Sequence, residues 1–365
     1  MAKAKYKRQS NGYFQTRVWD GTYLDTGKKK YIIIRSKKSS KDLEDKVRLH
    51  NLKIENREYT RNTNTTFHQY AKEWMTLYKS ARALNTKKMY DNVINKHLIK
   101  ISCNLREINR THYVLLLNDT DGDRTKQQID MTMKQIIKSA IKDKLLPASI
   151  YDEIFDDSVA VSYKPEEKRP LREYEKKAIK AADFEPMEKA FVYILYGCGL
   201  RRGEAIALTR FDVSLDRKEI TINKAIAFDK NTPILKDTKN EVHRTVPIPD
   251  STFPIIQAYV KSLNGTYLFP MKKYESYITK SSLDKMWKRI IKKMQAVSEE
   301  EIIGLTPHIF RHNYCSSLCY KIPEISIEKI ASLLGDSVKM VIEVYNHVIA
   351  EKEKPEETVS KAMNL

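Results

Sequence analysis

The chain has 365 residues, 41% of them hydrophobic and 9% aromatic, with only 10 Gly and 12 Pro; this excludes collagenous and low-complexity classes and leaves room for two or three packed domains. A formal charge of +19, from 66 Lys and Arg against 47 Asp and Glu, favours a polyanionic partner, nucleic acid ahead of an acidic membrane surface. No apolar run approaches the roughly 20 residues of a spanning helix, the N-terminus lacks a signal-peptide core, and the four scattered cysteines (Cys103, Cys198, Cys315, Cys319) contain no CxxC pair, so a cytoplasmic, membrane-free protein is expected.

Residues 1–61 carry 17 Lys or Arg against 7 Asp or Glu, more than half of the whole excess. Gly12 to Trp19 alternates, with Tyr13, Gln15 and Arg17 on one face and Phe14, Thr16 and Val18 on the other. Asp20-Gly21 signals a hairpin, and Lys30 to Arg35 reads as the returning strand. Ser40 to Tyr59 then repeats Leu43, Val47, Leu49, Leu52 and Ile54 at roughly helical spacing, enough to cover one face of a small antiparallel sheet. The candidate DNA contacts are Lys5, Lys7, Arg8, Tyr13, Arg17, Lys28, Lys29 and Lys30; the competing reading is a solvated basic hairpin.

Arg61 to Thr66 is polar and turn-rich, a linker by composition. Phe67, Tyr70, Trp74, Leu77 and Tyr78 open a helical pattern, and Asn85 to Ile99, Asn109 to Asn118 and Thr125 to Lys144 add three more, predicting a four-helix unit. Tyr163 to Pro170, charged and twice marked by Pro, is the next break. Helices are predicted at Arg172 to Ala182, Glu188 to Tyr196 and Arg202 to Leu208. Strands follow at Glu219 to Ala227 and His243 to Pro249 with Lys236 to Glu241 as their turn. Helices resume at Ser281 to Val297, His308 to Tyr320, Ser326 to Leu334 and Val338 to Val348. The predicted class is α+β in three parts: 1–61, 65–160 and 166–365.

Three segments carry chemistry. In Gly197-Cys-Gly-Leu-Arg-Arg-Gly-Glu204, Arg201 opens a helix after a glycine-rich turn, where a guanidinium can fork two phosphate oxygens; the alternative is a structural pair with Glu204. In Thr306-Pro-His-Ile-Phe-Arg-His312, His308 and Arg311 lie three apart on one helical face, a pairing suited to phosphate. Metal binding by His308 and His312 is the rival, although HxxRH lacks the glutamate of HExxH. Tyr345 lies nine residues after Asp336 in an amphipathic pattern, where an isolated tyrosine is more often core than nucleophile.

Together, Gly199-Leu-Arg-x-x-Glu204, His308-x-x-Arg-His312 and Leu334-Gly335 followed by Tyr345 and His347 resemble the tyrosine recombinase (lambda-integrase-like) family. The likeness is greatest to integrases of temperate phages and of conjugative transposons. By motif it spans about residues 165–365; the basic sheet and the helical unit resemble arm-binding and core-binding domains by layout only.

The resemblance implies that Arg201 and Arg311 clamp the scissile phosphate and that His308 handles a proton. Lys239, or Lys236 as fallback, would be general acid toward the leaving 5′-hydroxyl, and Tyr345 would attack to leave a 3′-phosphotyrosine. It implies no cofactor and no metal, since transesterification conserves the bond energy. Its implied partners are double-stranded attachment-site DNA, three further copies of the chain in a tetramer on that DNA, and an accessory excision factor; its implied place is the nucleoid. Glu351 to Leu365, with Val359 and Met363 four apart, would dock on a neighbouring copy. One position departs from the family: Asp336 stands where His or Trp is usual, and a carboxylate there neither donates to a phosphate nor attracts it. A type IB topoisomerase and a non-catalytic DNA-binding regulator are the alternative readings.

Overall fold

Residues 4–23, 28–55, 65–156, 161–164, 169–238, 243–271 and 274–352 are described by the computed structural model. The chain packs as two units, Met1–Pro165 and Glu166–Leu365. The expected first boundary, between 61 and 65, begins outside the described residues.

In the first unit, β1 (Phe14–Tyr23) and β2 (Lys29–Ser36) pair antiparallel, with Thr16 opposite Ile34 and Val18 opposite Ile32. The two-residue period turns Ile32, Ile34 and Ser36 inward and leaves Tyr31, Ile33 and Arg35 exposed. Helix α1 (Ser40–Glu55) packs on both strands and buries Leu43 completely. On the open face the Arg17 guanidinium lies 4.6 Å over the Tyr31 ring and Lys29 lies 5.0 Å over Trp19.

The helical segment comprises α2 (Phe67–Lys79), α3 (Leu84–Asn92), α4 (Arg110–Asn118), α5 (Asp123–Lys142) and α6 (Ile150–Ile154). Phe67, Trp74, Ile94, Leu98, Ile129 and Ile136 are sealed in its core. The helix expected to run to Ile99 is regular only to Asn92. It continues as a π turn over Val93–His97 and a 3₁₀ turn over Leu98–Lys100, so that Val93, Ile94 and Leu98 all face inward. Asp143, just past α5, accepts from the hydroxyls of Tyr70 (2.6 Å) and Tyr78 (2.7 Å) and ties the two ends of α2 to it.

The second unit begins with α7 (Glu173–Ala181), α8 (Pro186–Cys198) and α9 (Arg202–Ala205). Five strands follow: β3 (Val213–Ser214), β4 (Glu219–Ile222), β5 (Ala225–Asp229), β6 (Thr232–Lys236) and β7 (Arg244–Pro247). The unit closes with α10 (Phe253–Ser262), β8 (Pro270–Met271), β9 (Tyr274–Tyr277), α11 (Lys280–Gln295), α12 (Pro307–Cys319), α13 (Ile327–Leu334) and α14 (Val338–Lys352). Its core is centred on α8, where Phe191 meets Phe269 and Trp287 edge to face at 5.4 and 6.4 Å. Glu188 is buried between Arg289 (2.7 Å) and Lys293 (2.9 Å), which makes it tolerable inside.

The sheet corrects the sequence expectation. The single strand expected over Glu219 to Ala227 is two, broken at Asn223-Lys224, where the Lys224 ammonium is anchored on Asp212 at 2.6 Å. The first half, β4, lies between β3 and β7; the second, β5, turns back on β6 at Lys230, whose φ is +53°. Residues 237–243 therefore connect β6 to β7, not two neighbouring strands. β6 was illegible because Pro233 argues against a strand, yet at this two-stranded edge its missing N–H costs no ladder bond. The helix expected to reach Leu208 stops at Ala205. No helix among the described residues is long and apolar enough to cross a membrane.

Candidate active site

Pro307 occupies the first turn of α12, where its missing N–H has no cost. From there His308, Arg311, His312 and Cys315 recur at i, i+3, i+4 and i+7, one face of the helix. All four line a cleft of about 170 Å³ together with Arg201, Leu334, Asp336 and Met340. His308 is exposed and its ring meets the buried His312 edge to face at 4.8 Å. The Cys315 thiol, hydrogen-bonded to Cys319 and buried, is pushed well above its ordinary value, so this wall is a neutral thiol.

The C-terminal end of α13 organises the charges. A helix end leaves backbone carbonyls without intrahelical partners and carries partial negative charge. Here three successive carbonyls each accept from a different guanidinium: Leu333 from Arg244 Nε (2.8 Å), Leu334 from Arg311 Nη2, and Gly335 from Arg201 Nη2 (3.0 Å). Gly335 ends the helix in the left-handed region, φ +61°. The next residue, Asp336, places its carboxylate between the two cleft arginines, Oδ1 on Arg201 Nη2 and Oδ2 on Arg311 Nη2 (2.5 Å). Its side chain keeps 18% exposure, so the bridge is open to exchange.

Arg201 is held by more than the cleft. Glu204, buried, takes its backbone N–H (2.9 Å) and Nη1 (2.8 Å), and also both Nη atoms of Arg244 at 3.2 and 2.6 Å. Burial pushes the Glu204 carboxyl up, but the hydrogen bonds and charge of Arg244 and the charge of Arg201 outweigh it and hold the group below its ordinary range. Arg201 thus forms the pair with Glu204 and also lines the cleft. Helix α9 has four residues and supplies no useful helix dipole, contrary to the expectation at its start. Arg311 donates Nη1 to Gly199 O (2.9 Å), while its buried Nε has no hydrogen-bond partner among the described residues. Burial, then the charge of Arg201, draws its guanidinium below its ordinary value, with Asp336 opposing.

The cleft therefore gathers Arg201, His308, Arg311 and Asp336. Tyr345 is half-buried on α14 and packs on the apolar cluster of Cys315, Cys319, Ile330 and Val341, outside the cleft lining. Lys239 lies outside the described residues. Lys236 is exposed at the end of β6, and the side chain of His347 is outside the description as well. Of the N-terminal candidates, Lys5, Lys7, Arg8, Arg17, Lys28, Lys29 and Lys30 are exposed and Tyr13 is half-buried under Lys37 (5.1 Å). Lys5 pairs with Glu44 at 3.3 Å and Lys30 with Asp20 at 3.7 Å. Arg244 was missed in the sequence, where a strand arginine beside Lys239 carries no distinguishing spacing.

Residues 171–352 match the phage integrase family, and this part of the chain belongs to it, a tyrosine recombinase domain. Among relatives, a tyrosine recombinase XerC-like protein of Caldanaerobacter subterraneus subsp. tengcongensis is 25% identical over 194 residues, 45% of this chain and 46% of its own. Tyrosine recombinase XerA of Thermococcus kodakarensis is 28% identical over 166 residues, 45% and 52% of the two chains. The chain thus spans about half the length of the curated relatives it matches. Among solved structures, the Tn1549 transposon integrase in complex with a circular intermediate DNA aligns with a TM-score of 0.66 at 18% identity, over 77% of this chain and 95% of that one. A lambda integrase tetramer bound to a Holliday junction aligns with a TM-score of 0.59 at 14% identity, over 93% of both. At these identities the fold is what is shared.

Proposed function

We propose that the protein is a site-specific DNA recombinase, an integrase of a mobile element, that cuts and rejoins double-stranded DNA through a 3′-phosphotyrosine at Tyr345. One observation carries this reading: a single anion, the Asp336 carboxylate, is gripped by both Arg201 and Arg311 in a cleft that His308 also lines. Two guanidiniums fixed on one small oxyanion form a seat for a phosphodiester and for the extra charge of its pentacoordinate transition state.

In this reading the scissile phosphate displaces Asp336 from the arginines, and His308 accepts the proton that the Tyr345 hydroxyl loses as its oxygen attacks phosphorus. The P–O5′ bond breaks, and Lys239, or else Lys236, donates the proton to the leaving 5′-oxygen. Attack requires α14 to bring Tyr345 from its apolar packing to the cleft. Residues 1–61 hold a second DNA segment and residues 65–160 with 166–365 take the core site, four copies acting together on two duplexes. An accessory excision factor and a place at the nucleoid belong to the same proposal.

The test is a nicked suicide duplex carrying the element's end. A covalent protein–DNA adduct with the native chain and none with Tyr345→Phe is expected. Normal DNA binding without any adduct would instead favour a non-catalytic regulator, and relaxation of plasmid lacking an attachment site would favour a type IB topoisomerase.

A further inference from the structure

We infer that Arg244 is the positioning residue of the phosphate clamp, acting through Glu204 and the end of α13; this rests on the clamp reading above. Arg244 opens β7 and is 8% exposed, and it does not line the cleft, so any part it has in the chemistry is indirect. A buried charge is costly unless its hydrogen bonds are complete. Here Nε donates to Leu333 O at 2.8 Å, Nη1 to Glu204 Oε1 at 3.2 Å and Nη2 to Glu204 Oε2 at 2.6 Å. Only the planar fork of a guanidinium meets a carboxylate on two atoms while a third N–H points elsewhere.

The consequence is geometric. Each Glu204 oxygen accepts once from Arg244 and once from Arg201, so the carboxylate is saturated and the direction of Arg201 Nη1 is set. That leaves Arg201 Nη2 aimed at Gly335 O and Asp336. On its other side Arg244 fixes Leu333, next to the Leu334 carbonyl that holds Arg311. The turn closes so tightly on Arg244 that a Cβ at Gly335 would lie 2.8 Å from its Nη1. One guanidinium thus sets the spacing between the segment bearing Arg201 and the segment receiving Arg311.

The test titrates inorganic phosphate into the 365-residue chain carrying Asp336→Asn, whose amide no longer competes as an anion. Binding is followed by the side-chain Nε–H signals of Arg201 and Arg311 in nuclear magnetic resonance. Adding Arg244→Met should weaken phosphate about tenfold or more, and Glu204→Gln should weaken it similarly. Both together should weaken phosphate by clearly less than the product of the two single losses, since residues acting through one another are non-additive. Phosphate affinity unchanged by Arg244→Met, or losses that multiply in the double variant, would overturn the inference while leaving the clamp intact. Absence of any phosphate response in Asp336→Asn would remove the clamp reading and this inference with it. Should Arg244→Met not fold, Arg244→Lys, which keeps the charge but not the fork, carries the same comparison.

Discussion

In the proposed reaction, Asp336 is the residue that competes with the phosphate for the two cleft arginines. In the free protein its carboxylate completes the two arginines, which makes the cleft stable but already filled. Under the proposed function a phosphate takes the donors that Asp336 now holds, so Asp336 has to give them up as DNA enters, whereas an imidazole would add a donor. Asp336→His is therefore expected to raise the rate of adduct formation on the suicide duplex by about tenfold, roughly 1.4 kcal/mol of barrier. An unchanged rate would show that Asp336 does not limit the reaction. Gly199 is the second residue with a sharp consequence. It ends α8 in the left-handed region at φ +63°, and a Cβ there would lie 2.4 Å from the Tyr314 ring. Gly199→Ala should cost roughly 2 kcal/mol or more, from backbone strain plus overpacking, read as a lower urea midpoint with unchanged slope.

Among the elements, the junction of α9, β7 and α13 is held by charge, so its stability depends on pH. Glu204 has a folded carboxyl value below its ordinary one of 4.5. A depressed carboxyl contributes stability that is complete above the ordinary value and is lost as pH falls through the lower folded value. The melting temperature should therefore drop as pH is taken below about 4.5. Glu204→Gln, less stable at neutral pH, should show a smaller acid-induced drop. An equal drop in both chains would place the acid sensitivity elsewhere, Glu188 with its own depressed value being the next candidate.

At the scale of the molecule, the described part of residues 1–61 includes a sheet whose open face sets cations against aromatic rings, Arg17 on Tyr31 and Lys29 on Trp19. Such a face suits the phosphate backbone, and each phosphate contact changes the slope of log affinity against log salt by about −0.9. Deletion of residues 1–61 should lower duplex affinity and flatten that slope by several units, measured by titration at a series of salt concentrations. An unchanged slope would deny this segment a role in DNA binding.

Much of this was legible in the sequence because it is local. Alternation marked β1 and the hairpin signal after it marked β2, helical spacing marked α2, α5 and α12, and the i, i+3 spacing placed His308 and Arg311 on one face. The order of Gly199-Leu-Arg201, His308-x-x-Arg311 and Leu334-Gly335 pointed to one cleft through its resemblance to the tyrosine recombinases, a likeness of the whole pattern and not of any one segment. Tertiary structure decided the rest. Glu219 to Ala227 is two strands, parted where Lys224 pairs with the distant Asp212. Asp336, read from the sequence as a misfit beside a phosphate, proves to be the partner of both arginines. Arg244, anonymous in a strand, gains meaning only because its guanidinium meets Glu204 and Leu333, 40 and 89 residues away, at the same point in space. Period and residue type are local properties; a shared counter-ion is a property of the fold.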